Sequence, residues 1–242
     1  MYLYRSIFCL AALALYRSAL SSNVKTTYLE LGANNGHWTR MQMEKADLSS
    51  TKCFMFEPQP HLFQSLDDVA LKFNCSVIKR PVWTVEKTMK FHRHAVDVAS
   101  TLIDQSTWNS SATQSFDVTT VNIAEWIPLN IDQQSHVHVR MDIEGAEYMV
   151  MRRLISSGVA CKFFNVIELE FHALHQKSNY VMRPADVVFP WILRDCGVQV
   201  THSAYYPEEY YNMTMDANCN NCELLRTILP EDGNKRISKS QS

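Results

Sequence analysis

Short apolar stretches alternate with amphipathic stretches along most of this chain. The apolar stretch at 26–31 is followed, at about 36–46, by apolar positions with helical spacing. The same order returns at 52–57 and 59–73, and a third strand pattern lies around Val77. Strands that alternate with helices in this way predict βαβ units, and therefore an α/β domain with a mainly parallel sheet flanked by helices.

The second half of the chain continues the alternation. Apolar stretches at 136–142, 163–172 and 198–202 predict further strands. Helical spacing predicts helices at 146–156 and 184–196. The second of these helices begins with a proline and is followed by a glycine, which are the usual signals for the start and the end of a helix.

The region 84–122 has a different pattern. Thr88–His94, Ala99–Ile103 and Phe116–Asn122 read as short strands without helices between them. We therefore predict a β-rich insertion or an extra hairpin here. A last strand is predicted at Leu224–Ile228.

The composition is that of a globular protein, with 46% hydrophobic and 20% charged residues. The formal net charge of -2 gives no basic excess, so we expect no nucleic-acid partner. A length of 242 residues suits one large domain, which we place at 22–230. The polar segment 231–242 is predicted to be a disordered tail.

Residues 1–21 have the pattern of a secretory signal peptide. An apolar run at 7–15 lies between Arg5 and Arg17, and small residues precede an expected cleavage site after Ser21. The run is too short for a bilayer core, which takes about 20 residues. Two alternatives stay open, namely an N-terminal helix of the fold and an uncleaved anchor. Only the anchor would bring the chain to a membrane.

The cysteines and the glycosylation sequons agree with a secretory route. Beyond Cys9 the chain has an even number of cysteines, which permits three disulfides with their pairing left open. Cysteines pair in oxidising compartments. Asn-x-Ser/Thr sequons occur at Asn74, Asn109 and Asn212. We therefore predict a disulfide-bonded glycoprotein of the ER or Golgi lumen, or a secreted one.

The turn between the first predicted strand and helix has the sequence GANNG at 32–36, just after Glu30. Gly and Asn tolerate the positive φ angles that such a sharp turn requires. Bare backbone also lets a ligand approach closely, and the helix N-terminus offers unsatisfied N–H groups. The turn lacks the second Gly of G-x-G-x-x-G and the Gly-Lys-Ser/Thr of a Walker loop, so we expect no pyrophosphate ligand.

The second predicted strand ends in Glu57. In nucleoside-binding α/β folds an acid at this place accepts hydrogen bonds from the ribose hydroxyls. An ionised carboxylate has acceptor sites enough for both hydroxyls. We therefore predict that Glu57 binds a ribose, the alternative being an ordinary solvated acid at a strand end.

Three motifs, ELGANNG at 30–36, FEPQP at 56–60 and RMDIEGAE at 140–147, resemble in this order and spacing the FkbM-type family of S-adenosylmethionine-dependent methyltransferases. The resemblance runs from about 26 to 172. It implies a class I methyltransferase (Rossmann-like) fold with a seven-stranded sheet, and methyl transfer, commonly to an oxygen. It also implies six cofactor-binding residues: Glu30, Gly32, Ala33, Asn34, Gly36 and Glu57.

The acceptor side is predicted from two strand ends. Glu170 and His172 alternate on one strand, so they share a face. In the methyltransferase topology this strand lies beside the one that ends at Asp142, and the three residues should meet there. Glu144 and Glu147 fall in the first turn of the following helix, where acids have a capping role.

These residues lead to a hypothesis about the chemistry. His172, oriented by a carboxylate, would take the proton from an acceptor hydroxyl while Asp142 and Glu170 assist. A divalent metal bound by the same three residues is a second option, although no metal-binding motif supports it. The expected acceptor is a sugar, a glycan or a small hydroxylated metabolite.

Two rival functions remain. One is a lumenal or secreted binding protein that kept the fold without turnover. The other is a nicotinamide-dependent oxidoreductase, against which the missing second Gly argues.

Overall fold

The computed structural model describes residues 26–94, 100–103, 114–172 and 179–202. Several predictions concern residues outside these ranges, and the structure does not test them. They are the signal peptide at 1–21, the strand at Leu224–Ile228, the tail at 231–242, the sequons at Asn109 and Asn212, and the cysteines Cys219 and Cys222.

Ten strands occur in the described residues. They are β1 (Thr26–Leu31), β2 (Thr51–Phe56), β3 (Ser76–Ile78), β4 (Val82–Trp83), β5 (Thr88–Arg93), β6 (Gln114–Thr119), β7 (Val121–Asn122), β8 (His136–Met141), β9 (Phe164–Leu169) and β10 (Gln199–His202). Six of them form a parallel sheet in the order β10-β9-β8-β1-β2-β3. The prediction of a mixed α/β domain with a mainly parallel central sheet is thereby confirmed.

The expected seventh strand of the central sheet is not confirmed in the described residues. The described residues contribute six strands to the central sheet, and the predicted strand at Leu224–Ile228 lies beyond them. The third strand is also shorter than its apolar pattern, because the chain leaves the central sheet after Ile78. The next strand, β4, pairs with β7 outside that sheet.

The predicted β-rich insertion is present. Strands β5 and β6 form an antiparallel hairpin, and β4 pairs with β7 in parallel. The strand predicted at Ala99–Ile103 is reduced to a single bridge between Thr101 and His92 in the described part of that segment. The hairpin and this bridge bring residues of the insertion next to the central sheet.

Six α-helices accompany the strands in the described ranges. They are α1 (His37–Met43), α2 (Phe63–Phe73), α3 (Ile123–Asn130), α4 (Glu147–Ser156), α5 (Val159–Phe163) and α6 (Asn179–Asp195), and a 3-10 turn at Pro60–Leu62 precedes α2. Helices α3 and α5 were not predicted. Pro128 lies inside α3 and reads as a helix breaker, while α5 is too short to show a period.

Strand β1 is buried on both faces. Leu29 and Leu31 are fully buried in a large apolar cluster that also contains residues of α3 and α4. Tyr28 and Glu30 point to the opposite face, where Trp38 of α1 meets the Tyr28 ring at a centroid distance of 5.9 Å. Because β1 lies at the centre of the sheet, its carboxyl end is fixed from both sides.

Two pairs of cysteines lie at disulfide distance. Cys53 and Cys75 connect β2 with the start of β3, with 4.8 Å between their Cα atoms. Cys161 and Cys196 connect α5 with the residue after α6, with 5.5 Å between their Cα atoms. These pairs are compatible with an oxidising compartment such as the secretory pathway.

In the ranges that the structure describes, no helix has both the length and the apolar character needed to cross a bilayer.

Candidate active site

A pocket lies at the carboxyl ends of β1 and β8, two neighbouring strands at the centre of the sheet. From β1 the chain continues to β2 on one side, whereas β8 and β9 lie on the other side. Open α/β sheets bind ligands at such a reversal of strand order. The pocket is lined by the residues that follow β1, β2 and β8, and by parts of the β-rich insertion.

The glycines of the loop at 32–36 are required mainly for packing. Gly32 has a φ of 87°, and an added Cβ atom would stand 1.8 Å from the carbonyl oxygen of Asp142. Gly36 has a φ of 74°, and its added Cβ would stand 3.2 Å from Leu66 and from Val69 of α2. The sequence predicted a ligand beside this bare backbone, and that stays a prediction. The structure adds a packing reason, because the main chain of Asp142 lies against Gly32 and side chains of α2 lie against Gly36.

Glu57 lies in the pocket, as does Asn34. The Glu57 side chain accepts hydrogen bonds from the backbone N–H groups of Asn34 at 2.8 Å and of Gln59 at 3.0 Å, one on each carboxylate oxygen. Asn34 itself has a φ of 49°, the left-handed conformation that turns its N–H toward this acid. Glu57 is 4% exposed, and burial raises its pKa to about 7.

The other predicted cofactor residues have inward-facing positions. Glu30 is 2% exposed and accepts hydrogen bonds from the hydroxyl and the backbone N–H of Thr39, at 2.7 and 3.3 Å. Burial raises the pKa of Glu30 to about 8. Ala33 is buried in the apolar cluster under α2. Of the six predicted residues, Gly32, Asn34 and Glu57 line the pocket, whereas Glu30, Ala33 and Gly36 support the loop from behind.

One wall of the pocket is apolar. It consists of Phe56, Pro81, Val82, Phe91 and Leu102. Phe91 comes from β5 and Leu102 from the segment that pairs with it, so the insertion closes the pocket. The family resemblance pointed to Leu102, because Ser100 and Leu102 loosely match a Ser-x-Leu stretch that it places near the adenine, and both residues line the pocket. The alternation pattern did not identify Phe91, because such short strands do not show which of their sides faces the sheet.

The three predicted acceptor-side residues are brought together. Asp142, Glu170 and His172 each present one ligand atom, and these atoms lie within 4.8 Å of one another. The Nε2 atom of His172 is 3.8 Å from Asp142 Oδ1 and 3.8 Å from Glu170 Oε1. The predicted strand at 163–172 ends at Leu169, so Glu170 and His172 lie just beyond it and not within it. The expectation that the three residues meet at this edge of the sheet agrees with the structure.

Two further acids surround His172. Its Nδ1 atom is 2.9 Å from Oε1 of Glu147, and its Nε2 atom is 3.5 Å from Oε2 of Glu144. Glu147 is fully buried and also accepts hydrogen bonds from the backbone N–H groups of Ile143 and Gly145. The sequence predicted only a capping role for these two acids, and the structure adds their contacts with the imidazole.

Glu144 lies in the pocket in an unusual backbone conformation. Its φ is 54°, which is rare for a residue with a side chain. The hydroxyl of Thr101 donates a hydrogen bond to its carbonyl oxygen. Burial raises the pKa of Glu144 to about 8, and burial likewise raises the pKa of Asp142 to about 6.

The surroundings of His172 bear on its predicted role as a general base. Burial alone lowers the pKa of His172, but attraction to Glu147, Glu144 and Asp142 outweighs burial and raises this pKa to about 10. These partners favour the protonated imidazole and so disfavour proton removal by His172. His172 lies where it was predicted, and its role as a base stays a prediction.

Arg140 is a site residue that the sequence did not single out. Its Nη2 atom lies 2.8 Å from Asp142 Oδ2 and 3.6 Å from Glu170 Oε2. Arg140 stands two residues before Asp142 on β8, so the same i, i+2 spacing could have identified it.

Glu168, for which the sequence suggested no role, is held in a polar group beneath the site. It accepts a hydrogen bond from the indole N–H of Trp38 at 3.0 Å and pairs with His138 Nε2 at 2.8 Å. Partial burial opposes ionisation, yet the contacts with His138 and Trp38 lower the pKa of Glu168. This group connects α1 with β8 and β9 below the site residues.

Comparison with known families agrees with this geometry. The family model for the Methyltransferase FkbM domain matches residues 30–200, which include every candidate site residue described above. No curated protein and no solved structure matches the chain.

Proposed function

The chain belongs to the FkbM methyltransferase family, and we propose that it transfers a methyl group from S-adenosylmethionine to a hydroxyl oxygen of a sugar, a glycan or a small metabolite. The observation that carries the proposal is the position of Glu57, a buried acid at the end of β2 whose carboxylate lies in the pocket between β1 and β8.

The pocket fits the adenosine part of this cofactor. Each oxygen of Glu57 accepts one backbone hydrogen bond, and an ionised carboxylate has about four acceptor sites in all. The Gln59 side chain makes a further hydrogen bond to this carboxylate, so about one acceptor site is left for a ribose hydroxyl. The apolar wall that includes Phe91 and Leu102 suits the faces of an adenine ring.

When bound, S-adenosylmethionine supplies a methyl group on a positively charged sulfur. The chain has to align the acceptor oxygen with that carbon and to remove a proton. A bond forms between the acceptor oxygen and the methyl carbon while the carbon–sulfur bond breaks, and its electron pair stays on sulfur. We assign the hydroxyl proton to the carboxylate of Glu144, whose pKa of about 8 leaves it ionised at mildly alkaline pH, because Glu144 lines the pocket while Asp142 is already paired with Arg140.

Replacing Glu57 with alanine tests the cofactor assignment. Loss of charged hydrogen bonds costs roughly 1.5–3 kcal/mol, and we therefore expect the affinity for S-adenosylmethionine to fall about ten- to a hundredfold. Isothermal titration calorimetry measures this directly. Glu57→Gln, which keeps the volume, is the second variant, and Glu86→Ala, at an exposed acid, is the control.

Three outcomes of this titration are informative. Unchanged affinity in folded Glu57→Ala would contradict the assignment. Binding of a nicotinamide dinucleotide in preference to S-adenosylmethionine would favour an oxidoreductase. Tight cofactor binding without transfer of labelled methyl to any hydroxylated acceptor would favour a binding protein with this fold.

We also propose that the protein enters the secretory pathway. The two cysteine pairs support this, and Asn74, the one sequon in the described ranges, is exposed at the end of α2. We expect mass spectrometry of protein from a eukaryotic secretory host to find a chain that begins near Ser22 and contains both disulfides. An intact Met1 together with free thiols at these cysteines would contradict the proposal.

A further inference from the structure

We propose that Asp142, Glu170 and His172 form a binding site for a divalent cation of the Mn²⁺ or Mg²⁺ class. The binding itself is independent of the proposed function, whereas the role suggested below rests on it. The proposal starts from three donor atoms, Asp142 Oδ1, Glu170 Oε1 and His172 Nε2, at the carboxyl ends of β8 and β9.

Two of the three separations between these atoms suit a shared cation, and the third is within 4.8 Å. A cation with bonds of about 2.1 Å holds neighbouring ligand atoms about 3.0 Å apart at right angles and opposite ones about 4.2 Å apart. The two distances from His172 Nε2 to the carboxylate oxygens are both 3.8 Å, between these limits. They are longer than an ordinary N–H···O hydrogen bond, which spans about 2.7–3.2 Å.

The two carboxylates are oriented from behind by one residue. Arg140 Nη2 is close to Oδ2 of Asp142 and to Oε2 of Glu170, at 2.8 and 3.6 Å. Each acid thus turns one oxygen toward the guanidinium and its other oxygen toward His172. Outer partners of this kind fix the direction of metal ligands in proteins.

The imidazole is oriented in the same way. Glu147 Oε1 already accepts the N–H of Ile143 at 2.9 Å, so its contact with His172 at 2.9 Å places a donor hydrogen on Nδ1. Nε2 is then the atom that faces the carboxylates, and a cation bound there would displace the Nε2 proton to solvent. A histidine whose far nitrogen donates to a buried carboxylate is the usual arrangement of a metal-bound histidine.

The charges at this strand end also favour a cation. Four carboxylates, those of Asp142, Glu144, Glu147 and Glu170, stand around His172, and Arg140 is the one guanidinium paired with them in the described residues. Arg140 and the imidazole of His172 offset part of this negative charge, and a divalent ion in place of the Nε2 proton would offset more of it. One imidazole with two carboxylates suits Mn²⁺, which accepts both donor types, and Mg²⁺ more than a thiolate-seeking ion.

If the proposed function is correct, the cation would hold the acceptor. An acceptor hydroxyl that occupies an open coordination position becomes more acidic. Its proton would pass to Glu144, whose Oε2 atom is 3.5 Å from His172 Nε2 and which lines the cofactor pocket. The reaction is otherwise the one described above.

The experiment titrates metal-free protein with Mn²⁺ at neutral pH, without cofactor or acceptor, and follows free Mn²⁺ by electron paramagnetic resonance. We expect one ion per chain, and an affinity at least about tenfold lower in His172→Ala. Pulsed measurements on the bound ion should detect a directly coordinated imidazole nitrogen. His136→Ala, at an exposed histidine at the start of β8, is the matched control.

Glu170→Gln, which nearly preserves side-chain volume, keeps the proposal testable if His172→Ala unfolds. Absence of Mn²⁺ binding, or equal binding by wild type and both variants, would refute the site. Binding of Zn²⁺ that excludes Mn²⁺ would refute the proposed class of ion. Metal binding without S-adenosylmethionine binding would contradict the proposed function and leave the cation site intact. Methyl transfer by a protein that does not bind Mn²⁺ would contradict the cation site and leave the proposed function intact.

Discussion

Glu144→Gln is expected to lower kcat by roughly 10²- to 10⁴-fold at saturating S-adenosylmethionine, the usual loss when a general base is removed. Glutamine keeps the shape of the side chain but cannot accept the hydroxyl proton. The hydrogen bond from Thr101 to the backbone of Glu144 does not depend on this side chain, so the loop should stay in place. Cofactor affinity should be preserved, because the ribose contact belongs to Glu57.

The measurement is the transfer of labelled methyl to the best acceptor found in a screen of glycans and small hydroxylated metabolites. Glu125→Gln, at an exposed acid in the first turn of α3, is the control and should leave kcat unchanged. If kcat of Glu144→Gln stays within about threefold of wild type, small against the loss expected for a base, another group takes the proton.

Gly32→Ala is expected to destabilise the fold by roughly 2–6 kcal/mol, the sum of a positive-φ penalty and an overpacking penalty. The added Cβ would stand 1.8 Å from the carbonyl oxygen of Asp142, and main chain cannot rotate away as a side chain can. Either β1 and β8 separate at their carboxyl ends or the loop changes conformation. Both changes would disrupt the pocket, so cofactor binding should be lost together with stability.

Gly158→Ala separates the two contributions. Gly158 has a φ of 73°, close to that of Gly32, but a Cβ there would meet nothing within 4 Å. Its substitution should therefore cost only the conformational penalty of roughly 1–3 kcal/mol. Urea denaturation of both variants gives the difference. Equal destabilisation would show that contact with Asp142 contributes nothing.

Local patterns predicted the central part of the fold well. The strand at 26–31 has the predicted bounds, because its apolar run is bordered by polar residues and a glycine turn. Helix α3 was missed because Pro128 carries a helix-breaking signal, although near the C-terminal end of a short helix its missing N–H removes only one hydrogen bond. The apolar wall of the pocket depends on how the insertion folds back, which no local pattern shows.

The position of the candidate site was predictable, while its chemistry stays a prediction. Glu170 and His172 lie just past the end of β9 at Leu169, and the order of the strands in the sheet brings them to Asp142. The charge of His172 depends on Glu147, which is 25 residues away along the chain and looked like a helix cap. The position of the glycine loop was predicted correctly. The need for glycine at position 32 comes from the nearby backbone of Asp142, and it could be recognised only by knowing which strand lies beside β1.

Each of the two cysteine pairs closes a loop of the chain, and these loops contain some of the candidate site residues but not others. The pair Cys53–Cys75 encloses Glu57, and the pair Cys161–Cys196 encloses Glu170 and His172, with sequence separations of 22 and 35. Gly32 and Asp142 lie outside both loops. Each bond reduces the conformational entropy of the denatured chain, by an amount worth roughly 3–4 kcal/mol for loops of this size. Reduction of these bonds would therefore lower the stability of the whole fold, although Gly32 and Asp142 are held by strands that neither loop contains.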